Sequence, residues 1–234
     1  MKIPLLFFGA MAAWAQSGLD QPRIGMMLDR AGAVRIVAGL PGSATAGDPV
    51  LSGAVSLGCA GYCMFKTDSS LIAPGATIPA PAGAALFAFD AAGAFVYFLR
   101  TRQLARWEGG ELAPADFQVP GEVISLRSAG GAVQFAVRIG GQVLIEGPDG
   151  AVLGALPHAA RLTMLLGGGV LFSTAKEVVL RRPDGSEMSF AVPEASAFFE
   201  MSPDYIEIRA SGGLFALRIT PGKEQLFQLP EPAQ

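Results

Sequence analysis

The 234 residues are 51% apolar and 16% charged, and they include 30 glycines and 17 prolines. That balance excludes a disordered or collagenous chain and demands frequent turns. A formal net charge of -3 argues against a nucleic-acid binder, and one histidine with two cysteines excludes a multi-cysteine zinc scaffold.

At the N-terminus, Met1 and Lys2 form a short positive region, residues 3–13 are apolar, and Ala13-Trp14-Ala15 fits a small-x-small cleavage site. The pattern predicts a signal peptide over residues 1–15, followed by a single exported domain over 16–234, periplasmic or secreted. The apolar stretch is too short for the roughly 20 residues a spanning helix needs. No later stretch reaches that length without a charge or a Gly/Pro break, so no membrane span is expected.

From residue 24 onward the chain repeats. Pro41, Pro81, Pro120, Pro157, Pro193 and Pro230 recur at intervals of 40, 39, 37, 36 and 37. Self-similarity at such a period signals stacked units. Tight-turn words keep the same phase: Arg30-Ala31-Gly32, Glu108-Gly109-Gly110, Pro148-Asp149-Gly150, Pro183-Asp184-Gly185 and Thr220-Pro221-Gly222. Proline presets the first corner of such a turn and glycine takes the left-handed one, so each word should close a β-hairpin. The markers divide the chain into a half unit, 24–41, and full units 42–81, 82–120, 121–157, 158–193 and 194–230. The half unit carries two strand-like runs, 25–29 and 34–38, which read as the third and fourth strands of a unit.

Within the unit 42–81, Cys59 and Cys63 flank Ala60-Gly61-Tyr62, a three-residue loop between its first two strands. Export makes oxidation available, and the spacing predicts a disulfide. Each full unit holds about four short runs of β-branched, aromatic and aliphatic residues, as at 123–126, 133–137, 143–146 and 152–156. Runs such as 84–89 and 95–99 are apolar at consecutive positions, so both faces of those strands must be covered. Four-stranded units of about 37–40 residues, buried on both faces, describe an all-β fold, a β-propeller of five to six blades. A β-sandwich is the alternative. Ring closure depends on whether the half unit supplies a sixth, two-stranded blade or leaves the ring open. With its Pro-Asp-Gly hairpins the chain resembles, over residues 24–230, the exported bacterial propellers related to TolB and NHL repeats. That resemblance implies fold and location only. There is no Trp-Asp dipeptide, so the WD40 pattern is absent.

The polar inventory is thin. His158 follows Pro157 in a connector and reads as a solvated loop residue. No Gly-x-Ser-x-Gly elbow is present, Gly167-Gly168-Gly169 lacks the spacing of a phosphate loop, and the chain has no asparagine to help hold the ion of a propeller lactonase. Phe198, Phe199 and Trp107 read as core between blades. No catalytic residue, metal site or cofactor is expected, and the expected function is a non-catalytic ligand- or protein-binding or scaffold propeller of the cell envelope. The alternative is a hydrolase or lactonase with its site at the axial channel. One cation falls near the second-to-third strand connection of each full unit: Lys66, Arg100, Arg138, Lys176 and Arg209. These connections share a face of the ring, so the five are expected to form a collar attracting an anionic ligand or an acidic protein loop.

Overall fold

The turn words close hairpins because their glycines can take backbone angles that other residues avoid. Gly150 (φ 79°) and Gly185 (φ 83°) sit at such corners, and the N–H of Gly150 donates to the carbonyl of Gly147 at 3.1 Å. The computed structural model describes residues 22–40, 42–116 and 120–230; the predicted signal peptide and Pro41 lie outside them.

Antiparallel strands follow in chain order. The first sheet holds β1 (Arg23–Leu28), β2 (Val34–Ala38) and β3 (Thr45–Leu51). The second holds β4 (Ala54–Cys59), β5 (Cys63–Thr67), β6 (Ser70–Ala73) and β7 (Ala76–Pro79). The third holds β8 (Ala85–Phe89), β9 (Gly93–Phe98), β10 (Gln103–Glu108) and β11 (Glu111–Ala115). The fourth holds β12 (Glu122–Ala129), β13 (Ala132–Ile139), β14 (Gln142–Glu146) and β15 (Val152–Ala155). The fifth holds β16 (Thr163–Leu166), β17 (Gly169–Ser173), β18 (Val178–Arg181) and β19 (Glu187–Phe190). The sixth holds β20 (Ala195–Ser202), β21 (Tyr205–Ala210), β22 (Gly213–Arg218) and β23 (Gln225–Gln228). Each sheet is a simple meander, and the six stand around an axis as the blades of a β-propeller.

Six hydrophobic cores fill the six interfaces between neighbouring blades. This is why the middle strands carry apolar residues at consecutive positions. On β9, Ala94, Val96 and Phe98 pack into one core while Tyr97 packs into the next. Trp107 is buried in the core between the second and third blades.

The first blade departs from the sequence expectation in two ways. Among the described residues it has three strands rather than two, because β3 pairs with β2. Residues 45–51 therefore belong to the first blade, and the next begins at Ala54, not at residue 42. Second, the described residues of this blade include no innermost strand. The β1–β2 turn lies beside the start of β4, where the N–H of Ala54 donates to the carbonyl of Gly32 at 2.9 Å. It also lies beside the end of β21, whose Arg209 donates to the carbonyls of Leu28 and Asp29. That end of the ring holds the second-to-third turns of the other blades, so β1, β2 and β3 correspond to second, third and fourth strands. The Arg30-Ala31-Gly32 word thus closes a second-to-third hairpin, whereas the other four close third-to-fourth hairpins. Among the described residues the first blade supplies no inner strand, and β20 and β4 contact each other directly. Among the described residues the axis is lined by five inner strands, and β1, β2 and β3 are wedged outside them.

Candidate functional site

The inner strands β4, β8, β12, β16 and β20 enclose an axial channel formed by two cavities. The larger, about 420 Å³, opens on the face of the blade-to-blade connections. The smaller, about 240 Å³, lies toward the first-to-second hairpins. Phe87, Leu126, Leu165 and Glu200 line both cavities and form the throat between them. Gly58 belongs to this level because a side chain there would strike the ring of Phe87: an added Cβ would lie 2.9 Å from its Cδ2.

Three hydroxyls converge on the larger cavity: Ser56 from β4, Ser125 from β12 and Thr163 from β16. They are 5%, 6% and 7% exposed, a burial that polar side chains tolerate only when their hydrogen bonds are met. Ser56 Oγ accepts the backbone N–H of Ala85 on the next blade at 3.0 Å. Ser125 Oγ accepts that of Leu165 at 2.9 Å. In both cases the oxygen ties two inner strands together, and the hydroxyl hydrogen is left to be donated. Thr163 Oγ1 is buried with no hydrogen-bond partner among the described residues. The set therefore offers donors to a molecule carrying acceptor oxygens.

Of the five cations expected to form a collar, Arg138 lines the mouth of this cavity. It donates to Glu122 Oε2 at 3.1 Å and to the carbonyl of Arg161. Arg161, which the sequence reading did not single out, lies beside it at the same mouth. Arg100 and Lys176 are exposed on their turns. Lys66 is fully buried, its Nζ donating to the carbonyls of Thr67 and Asp68 at 2.6 and 2.9 Å, and burial pushes its pKa down. Arg209 is paired with Glu207 at 3.0 Å and stacks over the Phe199 ring at 4.6 Å. All five sit near second-to-third turns. Three of the five side chains, Lys66, Arg138 and Arg209, are engaged by protein groups.

Glu200 is another site residue that sequence reasoning missed, as it missed Ser56, Ser125 and Thr163. It is half-buried on β20, and no hydrogen bond or ion pair engages its carboxyl among the described residues. Desolvation alone raises its pKa to about 7. No local motif marks it: the surrounding Phe-Phe-Glu-Met reads as strand, and its position emerges only when five inner strands meet. His158 is exposed in its connector. Cys59 and Cys63 form the expected disulfide across the β4–β5 hairpin, with Cα atoms 4.1 Å apart. Among the described residues, no group of three or more His, Cys, Asp or Glu is placed to hold a metal ion.

No family model matches the chain, and no curated protein matches it in sequence. Solved structures are similar in fold. BBS1N, in a complex with ARL6DN soaked with lead, is 12% identical over 88% of this chain and 76% of that one, with a TM-score of 0.50. AztD from Citrobacter koseri is 12% identical over 88% of this chain and 69% of its own, with a TM-score of 0.45. PorZ is described as a surface component of the type-IX secretion system of Porphyromonas gingivalis. It is 11% identical over 90% of this chain, with a TM-score of 0.48, and the match spans only 38% of PorZ. At these identities the likeness concerns the fold alone.

Proposed function

We propose that the protein is an exported bacterial propeller, loosely of the TolB and NHL type, that binds a small ligand in its axial cavity without transforming it. The observation that carries this reading is the convergence of three buried hydroxyl groups, one of them unpartnered, on a cavity of about 420 Å³. That volume is in the range of small-molecule sites, which combine apolar walls with a few placed polar groups. At the mouth Arg138 pairs with Glu122 while Arg161 adds a second cation, so among the described lining residues positive charge is in excess there and an acceptor-rich, anionic group is favoured. Export is supported by the leader-like residues 1–15 and by the disulfide, which persists in oxidising compartments.

The test is binding of short carboxylates such as butyrate, followed by thermal shift and calorimetry. Thr163→Val and Arg138→Glu should each weaken binding about tenfold while the far-ultraviolet circular dichroism stays native. Binding unchanged in both variants would remove the cavity as the site. A hydrolase reading rests on Glu200, whose carboxyl titrates where a general acid or base operates. It requires turnover of a lactone or ester panel that disappears in Glu200→Gln.

A further inference from the structure

The axial cavity is polarised along its length. Its mouth and walls present hydrogen-bond donors, the hydroxyls of Ser56, Ser125 and Thr163 and the guanidinium of Arg138. Its throat presents one carboxyl, Glu200, between Phe87, Leu126 and Leu165. From Ser196 at the mouth to Glu200 at the throat, β20 advances four residues, roughly 13 Å at the rise of an extended strand.

A carboxylate in such surroundings needs a proton or a cation, and among the described residues no cation is engaged with it. Gly58, Phe87, Leu126 and Leu165 on the neighbouring inner strands carry no charge, nor does Ile206, which faces Glu200 across the β20–β21 pair. Arg127, in the lower cavity, is tied to Gln134 and to the carbonyls of Leu166 and Gly169. On β21, Glu207 and Arg209 are tied to each other and to Leu28. Glu122, Arg138 and Arg161 stand at the mouth, four residues up the channel from the throat. Phe87 adds an aromatic ring at the level of the carboxyl, a surface that attracts organic cations.

We infer that Glu200 binds an organic ammonium group, so that the cavity takes an elongated ligand with its cationic end at the throat and its acceptor oxygens among the hydroxyls. The inference rests on the axial-cavity reading and specifies the ligand's chemistry. It also predicts a proton balance. At pH 6 the free carboxyl is mostly protonated, so an arriving ammonium ionises it and one proton leaves for solvent. A carboxylate ligand bound at the mouth alone releases none.

The experiment titrates the full chain with butylammonium, butyrate and 6-aminohexanoate by calorimetry at pH 6, in two buffers of different ionisation enthalpy. The expected results are release of close to one proton with butylammonium and with 6-aminohexanoate, tighter binding as pH rises from 5 to 8, and at least tenfold weaker binding in Glu200→Gln. The proton count is read on the unmodified protein, so it stands even if the variant fails to fold. Butyrate binding without butylammonium binding, or butylammonium binding with no proton release, overturns the assignment of Glu200 and leaves the cavity reading intact. Failure of all three probes to bind overturns both.

Discussion

Asp90 shows how a turn residue becomes a structural anchor. It follows β8, where its Oδ1 accepts the N–H groups of Ala92 and Gly93, both at 2.9 Å. Arg106 on β10 meets it with two nitrogens at 2.7 and 2.8 Å, a bidentate geometry that strengthens the contact. The guanidinium also lies over the Phe95 ring at 4.4 Å. The Arg106 hydrogen bonds hold the Asp90 carboxyl down at about 2, against roughly 3.9 in an unfolded chain. The stabilisation is therefore complete above about pH 4 and is lost as pH falls toward 2. Asp90→Asn should cost about 1.5–3 kcal/mol at pH 7. In urea unfolding, that deficit should shrink steadily between pH 4 and pH 2; a deficit independent of pH would mean that the ion pair contributes nothing. The disulfide is a weaker brace, since it closes a loop of only a few residues. Loop-closure entropy gives it about 2 kcal/mol, so the reduced protein should stay folded with a lower urea midpoint. Thiol titration of the unfolded, non-reduced chain should find no free cysteine.

At the scale of the element, the first blade shows how side chains engage the inner edge of β1. The inner edge of β1 would normally pair with an inner strand, and an unpaired buried backbone group is costly. Here Glu207 Oε2 accepts the N–H of Leu28 at 2.9 Å, and Arg209 donates to the Leu28 carbonyl. The carboxylate and guanidinium together take the two hydrogen bonds that a strand would make. This explains a fully buried glutamate on β21: burial pushes its carboxyl upward, and Arg209 with the Leu28 N–H pulls it back. Arg209→Ala should destabilise by about 3–5 kcal/mol, because it leaves a buried charge without its partner. Adding Glu207→Gln should recover part of the loss, since the neutral amide oxygen can still accept from Leu28. Equal melting of the single and double variants would contradict this role. The blade also marks where the sequence stopped being legible. Proline spacing and turn words report local hairpins, so five blades and the disulfide could be read directly. β3, Thr-Ala-Gly-Asp-Pro-Val-Leu, is an exposed outer strand containing Gly47, Asp48 and Pro49, and nothing in that composition announces β structure. The Arg30-Ala31-Gly32 word had the right chemistry for a turn but belonged to a different hairpin. The throat at Glu200 was illegible for another reason. It is assembled from single residues of separate blades, and no local pattern encodes such a convergence.

Across the whole molecule, the ring closes by side-chain packing, not by sharing a strand between the two ends of the described chain. The first blade fills two interfaces. Ile24, Met27 and Val37 pack against Met201, Leu214 and Ala216 of the sixth blade. Leu28 and Val34 pack against Ala54, Leu57 and Cys59 of the second. Gly25 permits the first of these contacts, since a Cβ there would lie 2.3 Å from the Met201 carbonyl oxygen. Gly25→Ala should therefore force the β1–β20 approach apart. Removing residues 22–51 is the more severe change, because it bares both cores and also leaves Glu207 without the Leu28 N–H. The inner strands β20 and β4 already touch, so the remaining five blades have one route to closure: swinging together to bury the two exposed faces against each other. Blades two to six, however, keep the spacing set by their own four packed interfaces, and exposed apolar faces of this kind drive association. The truncated protein should elute from size-exclusion chromatography as dimers or larger species and melt without a single cooperative transition. A soluble monomer with the melting curve of the full chain would show instead that five blades close on their own and that the first is an appendage.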